Sequence, residues 1–315
     1  ITLISLCDMV ELNFNPGDSV RLRLAHEEID GVFLENSDSS IILLKMESGY
    51  NIGIPKENVL AGRVLKKFKE EVGIDKEIKG DSKGGKKEKI GLVVTGGTIA
   101  AKLDPKKGGV SWLTDVSEFK RFYPELFKMA DVKVIDVPFM TSSEAMTSEH
   151  WVKIAESVKE MSDDEEIKGV IVTHGTDFLH YTAAALSFFL KDLGKPVVLT
   201  YSQRSIDRAS SDANLNLRCA ARMALSEASE VMLVGHADIN DDFCYALRGS
   251  KVRKLHSSMR DAFKPVNCDP IAKVWPDKVE FISEYKKNVE GKNELDVSFS
   301  DKVALIKFYP GQDPS

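Results

Sequence analysis

The stretch GLVVTGGTIAAK, residues 91–102, decides how the rest of the chain is read. A short apolar run ends in two adjacent glycines, each flanked by a threonine. In an open α/β sheet, ligands bind where loops leave the C-terminal ends of the strands. A strand that stops on Thr95-Gly96-Gly97-Thr98 is therefore a candidate site. A dinucleotide fingerprint needs G-x-G-x-x-G and a Walker loop needs G-x-x-x-x-G-K-[ST]; neither spacing is present. Paired glycines let the backbone approach a ligand closely and leave amide N–H groups free to point at it. Thr98 then carries a hydroxyl to the site, unless both threonines only satisfy backbone groups in a tight corner.

Outward from this corner the chain alternates strands with helices. IGLVVT (90–95), DVKVIDVP (131–138), GVIVTH (169–174), KPVVLTY (195–201) and EVMLVGH (230–236) read as five buried strands. Between them, SEHWVKIAESVKEM (148–161) puts Trp151, Ile154, Val158 and Met161 on one helical face. FLHYTAAALSFFLKDLG (178–194) is apolar nearly all round and is expected to be a well-buried helix, and NLNLRCAARMALSEAS (214–229) is a third, amphipathic helix. This alternation implies a mainly parallel sheet with helices on both faces.

Residues 1–65 have a different texture. NPGDSVRLRLA holds a Pro-Gly-Asp turn and then alternation through Val20, Leu22 and Leu24; further strand-like runs flank the polar break 36–40 and the turn at Ser48-Gly49. Short β runs at this spacing suggest a small barrel of the SH3 or Sm kind. Residues 66–89 form a lysine-rich linker, read as a solvated hinge in preference to a basic arm on RNA. The α/β domain then spans 90–290. Residues 291–315 are read as a linker and the strand KVALIKFYPG (302–311), the expected start of a further, truncated domain.

Composition narrows the class. With 43 basic and 49 acidic residues the net charge is −6, which argues against a surface built all over for nucleic acid. No apolar run approaches the roughly 18 residues of a membrane span. The opening ITLISLCDMVELNF lacks a basic leading segment and a cleavage site, so a domain start is expected there. The four cysteines, Cys7, Cys219, Cys244 and Cys268, form no C-x-x-C pair and are expected as free thiols in a reducing cytoplasm.

Three more segments carry candidate chemistry. Strand three ends in Thr173-His174-Gly175-Thr176-Asp177, joining a second threonine to a carboxylate at the same sheet edge. A threonine hydroxyl is a poor nucleophile until a base takes its proton. Asp177 is placed either to orient such a base or to cap the helix that follows. MTSSEAM (140–146) offers small hydroxyls for a substrate carboxylate and Glu144 for an ammonium group. GHADINDDFCYALRGSKVRKLHSSMRDAF (235–263) clusters Lys251, Arg253 and Lys254, where a buried lysine, made neutral by desolvation, is a candidate base.

TGGTIA at 95–100 and HGTD at 174–177 resemble the two signatures of the bacterial-type asparaginase/glutaminase family, and SSEAM and GSKVRKLHSSMRDAF follow in the family's order. The similarity covers residues 90–311. The β domain that comes first, with GYNIGI at 49–54, makes the resemblance closer to the D-subunit group of archaeal glutamyl-tRNA(Gln) amidotransferases. That resemblance implies a glutaminase that hydrolyses glutamine, with a partner, the amidotransferase E-subunit, using the ammonia on Glu-tRNA(Gln). It implies Thr98 as primary nucleophile, with Thr176, Asp177 and Lys254 as the second catalytic group. Ser143, Glu144, Gly97 and Gly175 would bind substrate, and Thr95 would be structural. It further implies no metal or cofactor in this chain, ATP and Mg at the partner, tRNA(Gln) in the complex, a homodimer of this chain, no membrane, and a cytoplasmic location. A free-standing L-asparaginase with an added barrel is the alternative. The family carries a tyrosine in the loop after TGGTIA; here AAKLDPKKGGVSWLT (100–114) has none, and Trp112 is its only aromatic residue. The expected consequence is a loop that closes only in complex.

Overall fold

The computed structural model describes residues 13–48, 50–68, 87–104, 106–113, 116–287, 293–300 and 302–313. The expectations for residues 1–12, for Gly49 and for 69–86, most of the lysine-rich segment, lie outside these. The chain forms two compact units. One comprises residues 1–86, 100–122 and 204–211; the other comprises 87–99, 123–203 and 212–315.

The first unit is built on a five-stranded antiparallel sheet: β1 (Ser19–Arg23), β2 (Glu28–Leu34), β3 (Ile41–Lys45), β4 (Asn51–Pro55) and β5 (Ala61–Lys66). Its order, β4-β3-β2-β1-β5, is a meander whose last strand returns beside the first. The Pro-Gly-Asp turn leads into β1. There the Asp18 carboxylate, 2% exposed, accepts the N–H groups of Asn15 (3.0 Å) and Phe68 (2.8 Å). A buried charge is tolerated only with such donors. Val20 and Leu22 alternate inward onto Ile42, Leu44, Ile54 and Val59, with Leu24 at the rim of the same core.

The next strand, β6 (Lys89–Val94), opens the second unit. It is followed by a hairpin, β7 (Ala101–Asp104) and β8 (Gly109–Trp112), and by helix α1 (Val116–Phe122). The hairpin is fastened to the first unit's sheet: Glu35 N–H donates to Lys106 O (2.7 Å), and Lys45 Nζ donates to Gly108 O (3.0 Å). By its contacts this hairpin groups with the β domain's unit.

The second unit continues with α2 (Pro124–Met129), β9 (Asp131–Asp136), α3 (Ser148–Asp163), β10 (Ile167–Thr173), α4 (Leu179–Phe189), β11 (Leu190–Lys191), β12 (Val197–Thr200), α5 (Ala213–Ala224), β13 (Val231–His236) and β14 (Cys244–Arg248). The short strands β15 (Val252–Lys254), β16 (Phe263–Pro265), β17 (Ala272–Val274), β18 (Val279–Phe281) and β19 (Glu294–Leu295) complete it. One eight-stranded sheet runs β18-β17-β14-β13-β12-β10-β6-β9. It is parallel from β9 to β13 and antiparallel beyond. The five parallel strands are the five read from the sequence. Four of them are almost wholly buried, as parallel strands covered on both faces must be, while the edge strand β9 is half exposed.

On α3, Ile154, Val158 and Met161 enter the core, with Trp151 half-buried against it. Helix α4 corrects the expectation of burial all round. Leu179, Ala183, Leu186 and Phe189 face the core, whereas Tyr181 and Phe188 are exposed. It also ends earlier than the apolar pattern, because Leu190 and Lys191 turn extended and pair with β19. The run 302–309 carries no strand ladder, contrary to its reading as a strand; Val303, Leu305, Ile306, Phe308 and Tyr309 are all exposed. A strand needs a neighbouring edge for its N–H and C=O groups, and no described residue supplies one. Cys219 and Cys244 are buried free thiols and Cys268 is half-buried. Among the described residues no helix is long and apolar enough to cross a membrane.

Candidate active site

Strands β9, β6 and β10 are neighbours in the sheet, and three loops leave their C-terminal ends side by side. Thr95 ties two of the loops to the strands. Its N–H and its Oγ1 both donate to Thr173 O (3.2 and 2.8 Å), and its carbonyl accepts Thr141 N–H (3.1 Å). Thr95 is fully buried. Gly96 (φ +114°) and Gly97 (φ +77°) then take a backbone conformation that L side chains rarely adopt. A Cβ on Gly96 would lie 2.4 Å from Thr141 O, and one on Gly97 would lie 2.4 Å from Gly175 N. Only glycine allows the TGGT, TSSE and HGTD loops to meet this closely. No acceptor among the described residues takes the N–H of Gly96 or Gly97.

Thr98 opens a single 3-10 turn, Thr98–Ala100, with its side chain half-buried and its hydroxyl without a partner among the described residues. Across the site, β15 delivers Lys254. Its Nζ donates to Thr176 Oγ1 (2.8 Å) and to Asp177 Oδ1 (2.7 Å). The lysine side chain is only 7% exposed, whereas Asp177 is 58% exposed, so the amine lies beneath its acceptors. Of the three basic residues, Lys254 is the one whose side chain bonds Thr176. Lys251 and Arg253 are exposed, and Arg253 stands opposite Lys264 in the β15–β16 ladder.

Asp177 does not cap α4. Phe178 occupies the N-cap position, and Asp177 is drawn to Lys254. Its place at the helix start is taken by Ser143, 3% exposed, whose Oγ accepts Phe178 N–H (3.3 Å). The Ser143 hydroxyl keeps its own proton for another acceptor. Glu144 is exposed in the same 3-10 turn, Ser143–Ala145, and its carboxylate has no hydrogen-bond partner among the described residues. Gly175 is buried between Gly97 and Ser143.

One residue at the site had no role in the sequence reading. His174 is completely buried, with Nδ1 2.7 Å from Gly175 O and Nε2 2.9 Å from Thr182 Oγ1. Burial pushes its imidazole down to about 4, against the opposing pull of the Gly175 carbonyl. A histidine closing an otherwise apolar strand was the available signal. Among the described residues no three His, Cys, Asp or Glu side chains are grouped to hold a metal ion.

A hydroxyl in hydrogen-bond reach of an amine, the amine oriented by a carboxylate, and unpaired amide N–H groups alongside are the parts needed for acyl transfer. Known proteins resemble this chain along most of its length. The family described as asparaginase, N-terminal, matches residues 89–287, and the GatD N-terminal domain matches residues 14–65. A protein from Pyrococcus abyssi, named as the D-subunit of glutamyl-tRNA(Gln) amidotransferase, is 44% identical over 310 residues, spanning 96% of this chain and 70% of the relative. Its counterpart of the same name from Thermococcus kodakarensis is 43% identical over 308 residues, spanning 96% and 68%. Among solved structures, the thermostable L-asparaginase from Thermococcus kodakarensis superposes with a TM-score of 0.55 at 29% identity, over 66% of this chain and 60% of that one. This chain belongs to the asparaginase family and, within it, to the group of glutamyl-tRNA(Gln) amidotransferase D-subunits.

Proposed function

We propose that this chain is the glutaminase component of a tRNA-dependent amidotransferase, releasing ammonia from glutamine for a partner protein to place on Glu-tRNA(Gln). The observation that carries the reading is Lys254 bridging Thr176 and Asp177, with the Thr98 loop packed glycine to glycine against the same HGTD segment. Thr98 Oγ attacks the side-chain amide carbon of glutamine, and the open N–H groups at the glycines receive the developing oxyanion. The C–N bond breaks and the nitrogen leaves as ammonia, taking up the proton that the Thr98 hydroxyl gives up, relayed by way of Thr176 and Lys254. Water then attacks the acyl-threonine ester, giving glutamate and free Thr98. Ser143 and Glu144 hold the α-carboxylate and α-ammonium groups of the substrate.

The chain works beside the amidotransferase E-subunit and tRNA(Gln), as a homodimer in the cytoplasm. ATP and Mg act at the partner, and this chain's own step needs no cofactor. Ammonia release from glutamine and from asparagine, with and without the E-subunit and tRNA(Gln), tests this. Glutamine turnover raised by both additions is expected. Rapid asparagine turnover by the chain alone, indifferent to either, would identify a free-standing asparaginase instead. Thr98→Ala is expected to abolish ammonia release from the complex, and unchanged release would remove Thr98 from the mechanism.

A further inference from the structure

The acyl-transfer reading leaves His174 unused, although both of its ring nitrogens are engaged in a fully buried position next to Gly175 and Thr176. A carbonyl oxygen only accepts, so the contact with Gly175 O requires the proton on Nδ1. The neutral ring then presents a lone pair at Nε2, and the Thr182 hydroxyl donates to it. Those two bonds define one tautomer and one ring plane. Thr182 lies on the buried face of α4, the helix that Asp177 and Phe178 lead into. The ring thus joins the strand end to the helix behind the site.

The bond to Gly175 O has a geometric consequence. The Gly175 carbonyl and the Thr176 N–H belong to one planar trans peptide and point in opposite directions. A carbonyl held by the buried ring therefore turns the Thr176 N–H away from that ring. No acceptor among the described residues takes this N–H. The same residue's hydroxyl receives the Lys254 amine. Rotation of the Gly175–Thr176 peptide would re-aim the Thr176 N–H and displace the Thr176 hydroxyl together.

We propose that His174 is a positioning residue for the acyl transfer. By holding the Gly175 carbonyl it sets the peptide that aims the Thr176 N–H and seats the Thr176 hydroxyl on Lys254. The inference rests on the acyl-transfer reading and adds the neutral, Nδ1-protonated imidazole as a requirement of it.

The test uses the full-length protein in its amidotransferase complex and compares His174→Leu, His174→Asn and Thr182→Val. Leucine fills the space without a donor, whereas the asparagine amide can place an N–H near the position of Nδ1. His174→Leu is expected to lose on the order of 100-fold in kcat, the scale of a misplacement of about an ångström, with a much smaller change in KM. His174→Asn is expected to recover most of that loss. Nitrogen-15 NMR of the wild type at pH 7 should show a neutral ring protonated on Nδ1. Full kcat in folded His174→Leu, no rescue by asparagine, or a ring protonated on Nε2 would each overturn the proposal. Should His174→Leu fail to fold, Thr182→Val decides. Lower kcat with a shifted tautomer signal supports the proposal, and no change in either overturns it. A wild-type complex that releases no ammonia from glutamine would instead defeat the acyl-transfer reading. The NMR tautomer would still report on the His174 geometry.

Discussion

Lys254 has one amine and two acceptors, Thr176 Oγ1 at 2.8 Å and Asp177 Oδ1 at 2.7 Å, and replacing it separates charge from proton transfer. Lys254→Arg keeps a cation for Asp177, but a guanidinium does not give up its proton in a protein. Lys254→Met removes both functions. Each is expected to lower kcat for ammonia release by about 10²–10⁴-fold, the usual worth of a placed acid or base. Activity surviving in Lys254→Arg would show that only the charge is used. At the facing loop, Gly97→Ala combines a left-handed φ with a Cβ 2.4 Å from Gly175 N. A loss of at least about 1–3 kcal/mol is expected in urea unfolding, the cost of such backbone strain. Both residues were legible in the sequence as types in motifs. The burial that makes Lys254 specific was not, since Lys251 and Arg253 lie in the same basic run.

Among the elements, α4 shows where pattern reading stops. Its residues are apolar on nearly every side, so periodicity alone could not say which face meets the sheet. The structure buries Leu186 completely and leaves Phe188 69% exposed. Leu186→Ala is accordingly expected to cost about 2–5 kcal/mol. Phe188→Ser, changing a larger side chain on the same helix, is expected to stay within about 0.5 kcal/mol. Chemical denaturation of the two variants checks the pair, and equal losses would mean that the exposed face is covered in solution. The helix start shows the same division: a carboxylate before an apolar helix reads as a cap, yet Lys254, 77 positions away in the chain, takes Asp177. The five parallel strands needed no such correction, because burial on both faces leaves a continuous apolar signature.

For the whole molecule, His174 makes stability depend on pH. Its folded value of about 4 lies below the ordinary 6.5, so on acidification the unfolded chain takes up the proton first. The stability it contributes is complete above about pH 6.5 and is lost as pH falls to about 4, up to roughly 3 kcal/mol by linkage. Glu166, held at about 2 by Lys133 and Lys89, acts in the same direction but is fully exposed, and salt screens it. Urea unfolding across this window in high salt should therefore retain the histidine's share, and His174→Asn should flatten it. An equal slope in the variant would show that the ring titrates normally. By itself the sequence determined the alternation of strands and helices, the β domain before it, and the motif residues at the strand ends. Each of these rests on local periodicity and turn chemistry over a few residues. Only the tertiary structure decided which lysine reaches Thr176, which partner Asp177 serves, that His174 is enclosed, and that the 101–112 hairpin groups with the β domain. Those outcomes depend on contacts between segments tens of residues apart, and the burial and direction of a side chain there exist only once the chain has packed.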